Sequence, residues 1–102
     1  MAASIPEESI NLDPVLPHLE SLLKKREYPK TFCPSEVARA ASTSELQKAG
    51  APSWRELMQP LRRLCFQMRD EGKLEILQRG ELLPDAQSMN DTKGPIRIRR
   101  RT

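Results

Sequence analysis

Histidine, cysteine, aromatic residues and long apolar runs are all scarce in this chain, and each scarcity argues against a class of function. There is one histidine among 102 residues. His18 falls on the polar side of the first helical segment with no metal-ligand spacing around it, which argues against a zinc site. Two cysteines, Cys33 and Cys65, make no disulfide framework. Cys65 lies on an apolar helical face, where a reduced thiol acts as a small hydrophobe. Cys33 precedes Pro34 at a helix start, a place that lowers thiol pKa values, but no histidine or second acid is set to activate it. The glycines form no phosphate-cradling loop, and no nucleophile–base pair stands out. The expectation is a protein that is not an enzyme, with no catalytic residue, no metal ligand and no cofactor. No apolar run approaches the roughly 20 residues that span a bilayer. The opening MAASIPEESI contains glutamates and lacks the basic region of a signal peptide. An intracellular location, cytoplasm or nucleus, without secretion or membrane contact, is the corresponding expectation.

Positive charge is abundant, and it is unevenly spread. The formal net charge is +3. Residues 1–52 carry six Lys/Arg against seven Asp/Glu, whereas residues 53–102 carry eleven against seven. Basic charge collected in one half points to an anionic partner, nucleic acid being the commonest. A chain of this length suits one domain with a core of modest size.

The stretch from Ser53 to Gly72 organises the rest. Ser53 and Glu56 form an S-x-x-E capping box, and Gly72 supplies a C-terminal stop. Between them Trp54, Leu57, Met58, Leu61, Leu64, Cys65 and Met68 recur at three- and four-residue steps, the spacing of one helical face. Arg55, Arg62 and Arg69 fall on a second line flanked by Gln59 and Phe66, and that line is expected to face outward. Pro60 predicts a bend near Leu57.

In chain order, residues 1–12 read as a flexible leader. Asp13-Pro14 opens a first helix carrying Val15, Leu16, Leu19, Leu22 and Leu23. Cys33-Pro34-Ser35-Glu36 opens a second. Ser42–Pro52 is an eleven-residue connector with a helical turn at most around Glu45–Gln47. After the long helix, residues 73–78 alternate as a strand, Arg79-Gly80-Glu81 turns, and residues 82–93 read as a mobile excursion. Residues 96–99 alternate again, so that Leu74, Ile76, Ile96 and Ile98 face the helices while Arg97 and Arg99 face out. Three helices followed by a two-stranded β-hairpin wing make an α+β, mostly α, winged helix over residues 13–100, with residues 101–102 a basic tail.

The segments CPSEVARA (33–40), WRELMQPLRRLCFQM (54–68), EGKLEILQRG (71–80) and GPIRIRR (94–100) resemble a small, mainly bacterial domain-of-unknown-function family. Its members look like short stand-alone winged-helix proteins. The resemblance spans Leu16 to Arg100 and implies the same fold, with no established activity.

For nucleic acid, the expected contacts are Arg55, Gln59, Arg62 and Arg63 on the long helix, reading base edges and phosphates in the major groove. Arg79 and Lys93 on the wing, with Arg97, Arg99, Arg100 and Arg101 on the last strand and tail, add phosphate contacts. The partner is then double-stranded DNA, bound by a monomer or homodimer in a non-catalytic, regulatory role. The alternative is a winged helix that docks a protein without nucleic acid, for which Phe66 beside the arginines is the best argument.

Overall fold

Proline starts, capping boxes and glycine closes mark several helix ends of this chain, and 3-10 turns lead into two of the helices. The computed structural model describes residues 7–101, so residues 1–6 of the expected leader and Thr102 of the tail lie outside the described residues. Helix α1 runs Leu16–Lys25 after a 3-10 turn at Asp13–Val15, and Pro14 and Pro17 occupy first-turn positions where no intrahelical N–H is lost. Helix α2, Pro34–Arg39, begins with its proline at the first position, and the Cys33 N–H donates to Glu36 Oε2 at 2.9 Å.

The expected connector is a helix. Helix α3 spans Thr43–Ala49, so the described residues contain four helices rather than three. The reason is local: Ser42 and Glu45 repeat the capping box, with Glu45 N–H to Ser42 Oγ at 3.1 Å and Ser42 N–H to Glu45 Oε1 at 2.8 Å. At its other end Gly50, at φ 77°, allows the paired bonds Gly50 N–H to Gln47 O and Ala51 N–H to Leu46 O of a Schellman close. Helix α3 packs on the Asp13–Val15 turn, and His18 of α1 bridges to Glu45 at 2.9 Å.

The Ser53–Gly72 stretch is two elements. Trp54–Leu57 forms a 3-10 turn, and helix α4 runs Met58–Asp70. The expected bend at Leu57 is thus a change of helix type. Pro60 is the third residue of α4, where its missing N–H would have had no intrahelical partner. Gly72 repeats the Schellman close, with Lys73 N–H donating to Met68 O.

The sheet has three antiparallel strands in the order β2-β1-β3: β1 Leu74–Gln78, β2 Glu81–Leu82 and β3 Arg97–Arg100. The expected pairing of β1 with β3 is present, with Ile76 opposite Ile98. Strand β2 is additional. Arg79 at φ 53° and Gly80 at φ 80° make the two-residue turn whose twist suits a hairpin. On the far side of β3, Phe32 exchanges both backbone bonds with Ile98, at 2.8 and 2.7 Å.

Val15, Leu19, Phe32, Val37, Leu57, Leu61, Leu74, Ile76 and Ile98 are fully buried between the helices and the sheet. Each such side chain contributes about 1.5–3 kcal/mol relative to exposure. Ile10 and Leu12, at the end of the expected leader, pack on this cluster, and Asn11 N–H donates to Ala49 O. The excursion after β2 packs as well. Leu83 and Thr92 are buried, and the segment between them lies against α4 through a 3-10 turn at Met89–Asp91.

Candidate nucleic-acid interface

Helix α4 carries the arginines on which the sequence reading rests, and the structure divides them. Arg69 is 6% exposed. Its guanidinium donates to Gln87 O at 2.7 Å and Asp85 O at 3.2 Å, and it pairs with Asp70 at 2.9 Å. Arg62 donates to Thr92 O at 2.7 Å and Gly94 O at 2.8 Å. Phe66 lies between them, buried, with the Arg69 guanidinium 4.9 Å and the Arg62 guanidinium 5.9 Å from its ring centroid.

This corrects the expected outward line. The Arg62–Phe66–Arg69 face of α4 is the seat of residues 83–94. Main-chain carbonyls in a segment with little strand pairing need donors, and the two guanidiniums supply them. The protein-docking alternative takes Phe66 as exposed, and its burial removes that argument. The mobile excursion is corrected on the same ground. Gln87 Nε2 to Thr92 Oγ1 at 3.0 Å and Thr92 Oγ1 to Ser88 O at 2.8 Å tie the segment internally as well.

The start of the stretch is open. Arg55, Gln59 and Arg63 are exposed. The Arg55 guanidinium stacks 4.9 Å from the Trp54 centroid, and Arg39, from the end of α2, lies 4.6 Å from the same ring. Trp54 is half-buried at the rim of the core, less enclosed than its place in the apolar stripe predicted. Glu56, beside Arg55, is held below the usual carboxylate range by hydrogen bonding from Ser53, with Arg55 adding to the effect against a smaller cost of burial. Gln59 and Arg62 border a cleft whose other walls are Cys33, Pro34, Met58, Pro95 and Ile96. That cleft joins the first turn of α4 to the approach to β3.

The remaining basic residues spread along the sheet. Arg79 is exposed at the hairpin turn and Lys93 at the end of the packed segment, where its carbonyl accepts from Gln78 Nε2. Arg97 is exposed and donates to Thr31 Oγ1 and Thr31 O, each at 3.1 Å, next to the start of α2. Arg99 pairs with Glu75 at 2.7 Å, with only 16% of its side chain exposed, and lies 4.6 Å from the Tyr28 centroid. Arg100 donates to Lys24 O at 2.6 Å, at the end of α1, and Arg101 is exposed. Arg62 thus reaches the segment that leads into β3, whereas Arg97, Arg99 and Arg100 finish on Thr31, Glu75 and Lys24.

Among the described residues no group of three or more His, Cys, Asp or Glu side chains is placed to hold a metal ion. Burial, with Cys33 adding to it, pushes the Cys65 thiol up to about 12, which leaves it inert. No helix of the described residues is long and apolar enough to cross a membrane. Arg39 is the residue that sequence reasoning passed over. It ends a short helix with no periodic signal, and only the packing of α2 beside Trp54 gives it a neighbour.

No curated protein matches the chain. Residues 13–101 match the family described as "Protein of unknown function (DUF3253)", and with nearly its whole length inside that match the chain belongs to this family.

Proposed function

We propose that this protein is a winged helix that binds duplex DNA and catalyses no reaction. The order of elements supports the fold. Helix α1 is followed by the bridge at Phe32, then α2, α3 and α4, then β1, an excursion over residues 79–93 and finally β3. In a winged helix these are the first helix, a minimal first strand, the helix-turn-helix, and two strands joined by the wing. Helix α3 takes the place of the tight turn.

The observation that carries the DNA reading is the clamp of Arg62 on Thr92 O and Gly94 O. It fixes the base of the wing against a helix whose N-terminal end, with Arg55, Gln59 and Arg63, is exposed. A recognition helix offers its N-terminal residues to base edges, and the wing adds contacts to the backbone. On this reading Gln59 and Arg63 contact the groove, while Arg55, Arg79, Lys93 and Arg97 contact phosphates. Arg62 and Arg69 position the wing instead of touching DNA.

A second reading, a module that docks a protein, is favoured by one observation. The wing carries Glu81, Asp85 and Asp91 against Arg79 and Lys93, so its own net charge is not basic. Fluorescence anisotropy of a labelled random duplex at two salt concentrations separates the readings. Binding at low salt that weakens steeply as salt rises supports DNA. No binding by micromolar protein at low salt overturns it in favour of a protein partner.

A further inference from the structure

Among the described residues five guanidiniums lie over aromatic rings, and they do not end alike. Arg62, Arg69 and Arg99 also finish on carbonyl or carboxylate oxygens. Arg39 and Arg55, both on Trp54, do not: among the described residues neither makes a hydrogen bond or an ion pair in contact. The acids nearest along the chain are turned elsewhere: Glu36, three residues before Arg39, accepts from Arg26 and the Cys33 N–H, and Glu56, beside Arg55, is turned to the Ser53 N–H and hydroxyl.

Two like charges gathered on one indole repel each other, and the ring offsets that only in part. An exposed cation–π contact is worth about 0.5–1 kcal/mol. What the pair lacks is an anion. Each guanidinium presents N–H donors in a planar fork that matches a phosphate. We infer that Arg39 and Arg55, flanking Trp54, form a phosphate-binding pair that docks the backbone of duplex DNA beside α4. The inference rests on the DNA reading and adds to it a residue from α2. The first helix of a helix-turn-helix crosses the DNA backbone; with α3 in the place of the turn that helix is α2, which is where a phosphate contact from Arg39 would fall.

Trp54 is the sole tryptophan, so its emission reports on this site alone. The test titrates a duplex into the parent and into Arg39→Gln, following both Trp54 emission and the anisotropy of the labelled DNA. Arg39 is exposed, and the glutamine keeps much of its stem, so the thermal midpoint should hold and confirm the fold. Expected are an emission change in the parent, binding about tenfold weaker in Arg39→Gln, and a salt slope lower by about one. If Arg39→Gln binds with the parent's affinity and slope, the phosphate pair is wrong while the DNA reading stands. If the folded parent fails to bind at low salt, both fall. If inorganic phosphate alone, at the same concentration of phosphate groups, reproduces the emission change, the pair is a free-anion site and the assignment to a nucleic-acid backbone is overturned.

Discussion

Phe66 and Trp54 lie on the same 17-residue run of 3-10 turn and α4 and each gathers two guanidiniums, yet the two clusters finish differently. Around Phe66 the ring is buried and the N–H forks close on four carbonyls of residues 85–94. Around Trp54 the ring is half-buried and, among the described residues, neither fork ends on a protein oxygen. Both rings hold two guanidiniums, at 4.6 and 4.9 Å from the Trp54 centroid and at 4.9 and 5.9 Å from that of Phe66. What separates the two pairs is where their hydrogen-bond donors finish, and a carbonyl-rich segment nearby decides that.

The strongest way to break this comparison is Arg69→Ala. It should destabilise by about 2–3 kcal/mol, since charge-assisted bonds to two carbonyls and a buried stem are lost together. A urea denaturation midpoint equal to the parent's would place Arg69 with the idle guanidiniums. Arg62→Ala comes next, at about 1–2 kcal/mol. Amide exchange should quicken across residues 92–97 first, because the clamp holds that base against α4; uniform exchange across the chain would deny it that role.

Arg55→Ala sharpens the contrast from the other side. Its stability cost should stay within about 0.5 kcal/mol, while duplex binding falls and the salt slope drops by about one. A large fall in melting midpoint with binding intact would reverse the assignment of the two clusters.

The smallest effect concerns Arg26, an intermediate case with a partly exposed partner, Glu36, at 2.7 Å. Burial acts to raise the Glu36 carboxyl, but the Cys33 N–H and the Arg26 guanidinium together outweigh it and hold the group below its ordinary value of 4.5. Stability from this pair is therefore fully present above about pH 4.5 and fades as the pH falls through the depressed folded-state value. Glu36→Gln should flatten that acid limb of the stability curve. An unchanged limb in acid titrations followed by circular dichroism would show that the carboxylate gains nothing on folding.

Local signals in the sequence were legible where one residue type solves one local problem. Pro34 at the start of α2, the Ser53–Glu56 box, Gly72 and the alternation that buries Leu74, Ile76, Ile96 and Ile98 all belong to this kind. Helix α3 carried the same kind of signal in Ser42–Glu45 and Gly50, but its short apolar face made it read as a connector. Strand β2 is two residues long, below the length at which alternation can register. The site fared less well. Helical periodicity placed Arg62, Phe66 and Arg69 on one face, as it should, and could not say that residues 83–94 would cover that face.

The sequence by itself determined the helix punctuation at Pro34, Ser53 and Gly72, the inward set of the sheet and the uneven charge, because capping, pleat and composition act over a few residues. Only the tertiary structure decided which guanidiniums meet carbonyls and which stay open. That depends on contacts between residues 16 to 32 positions apart, such as Arg69 with Asp85 and Arg62 with Gly94, where no periodic pattern reaches.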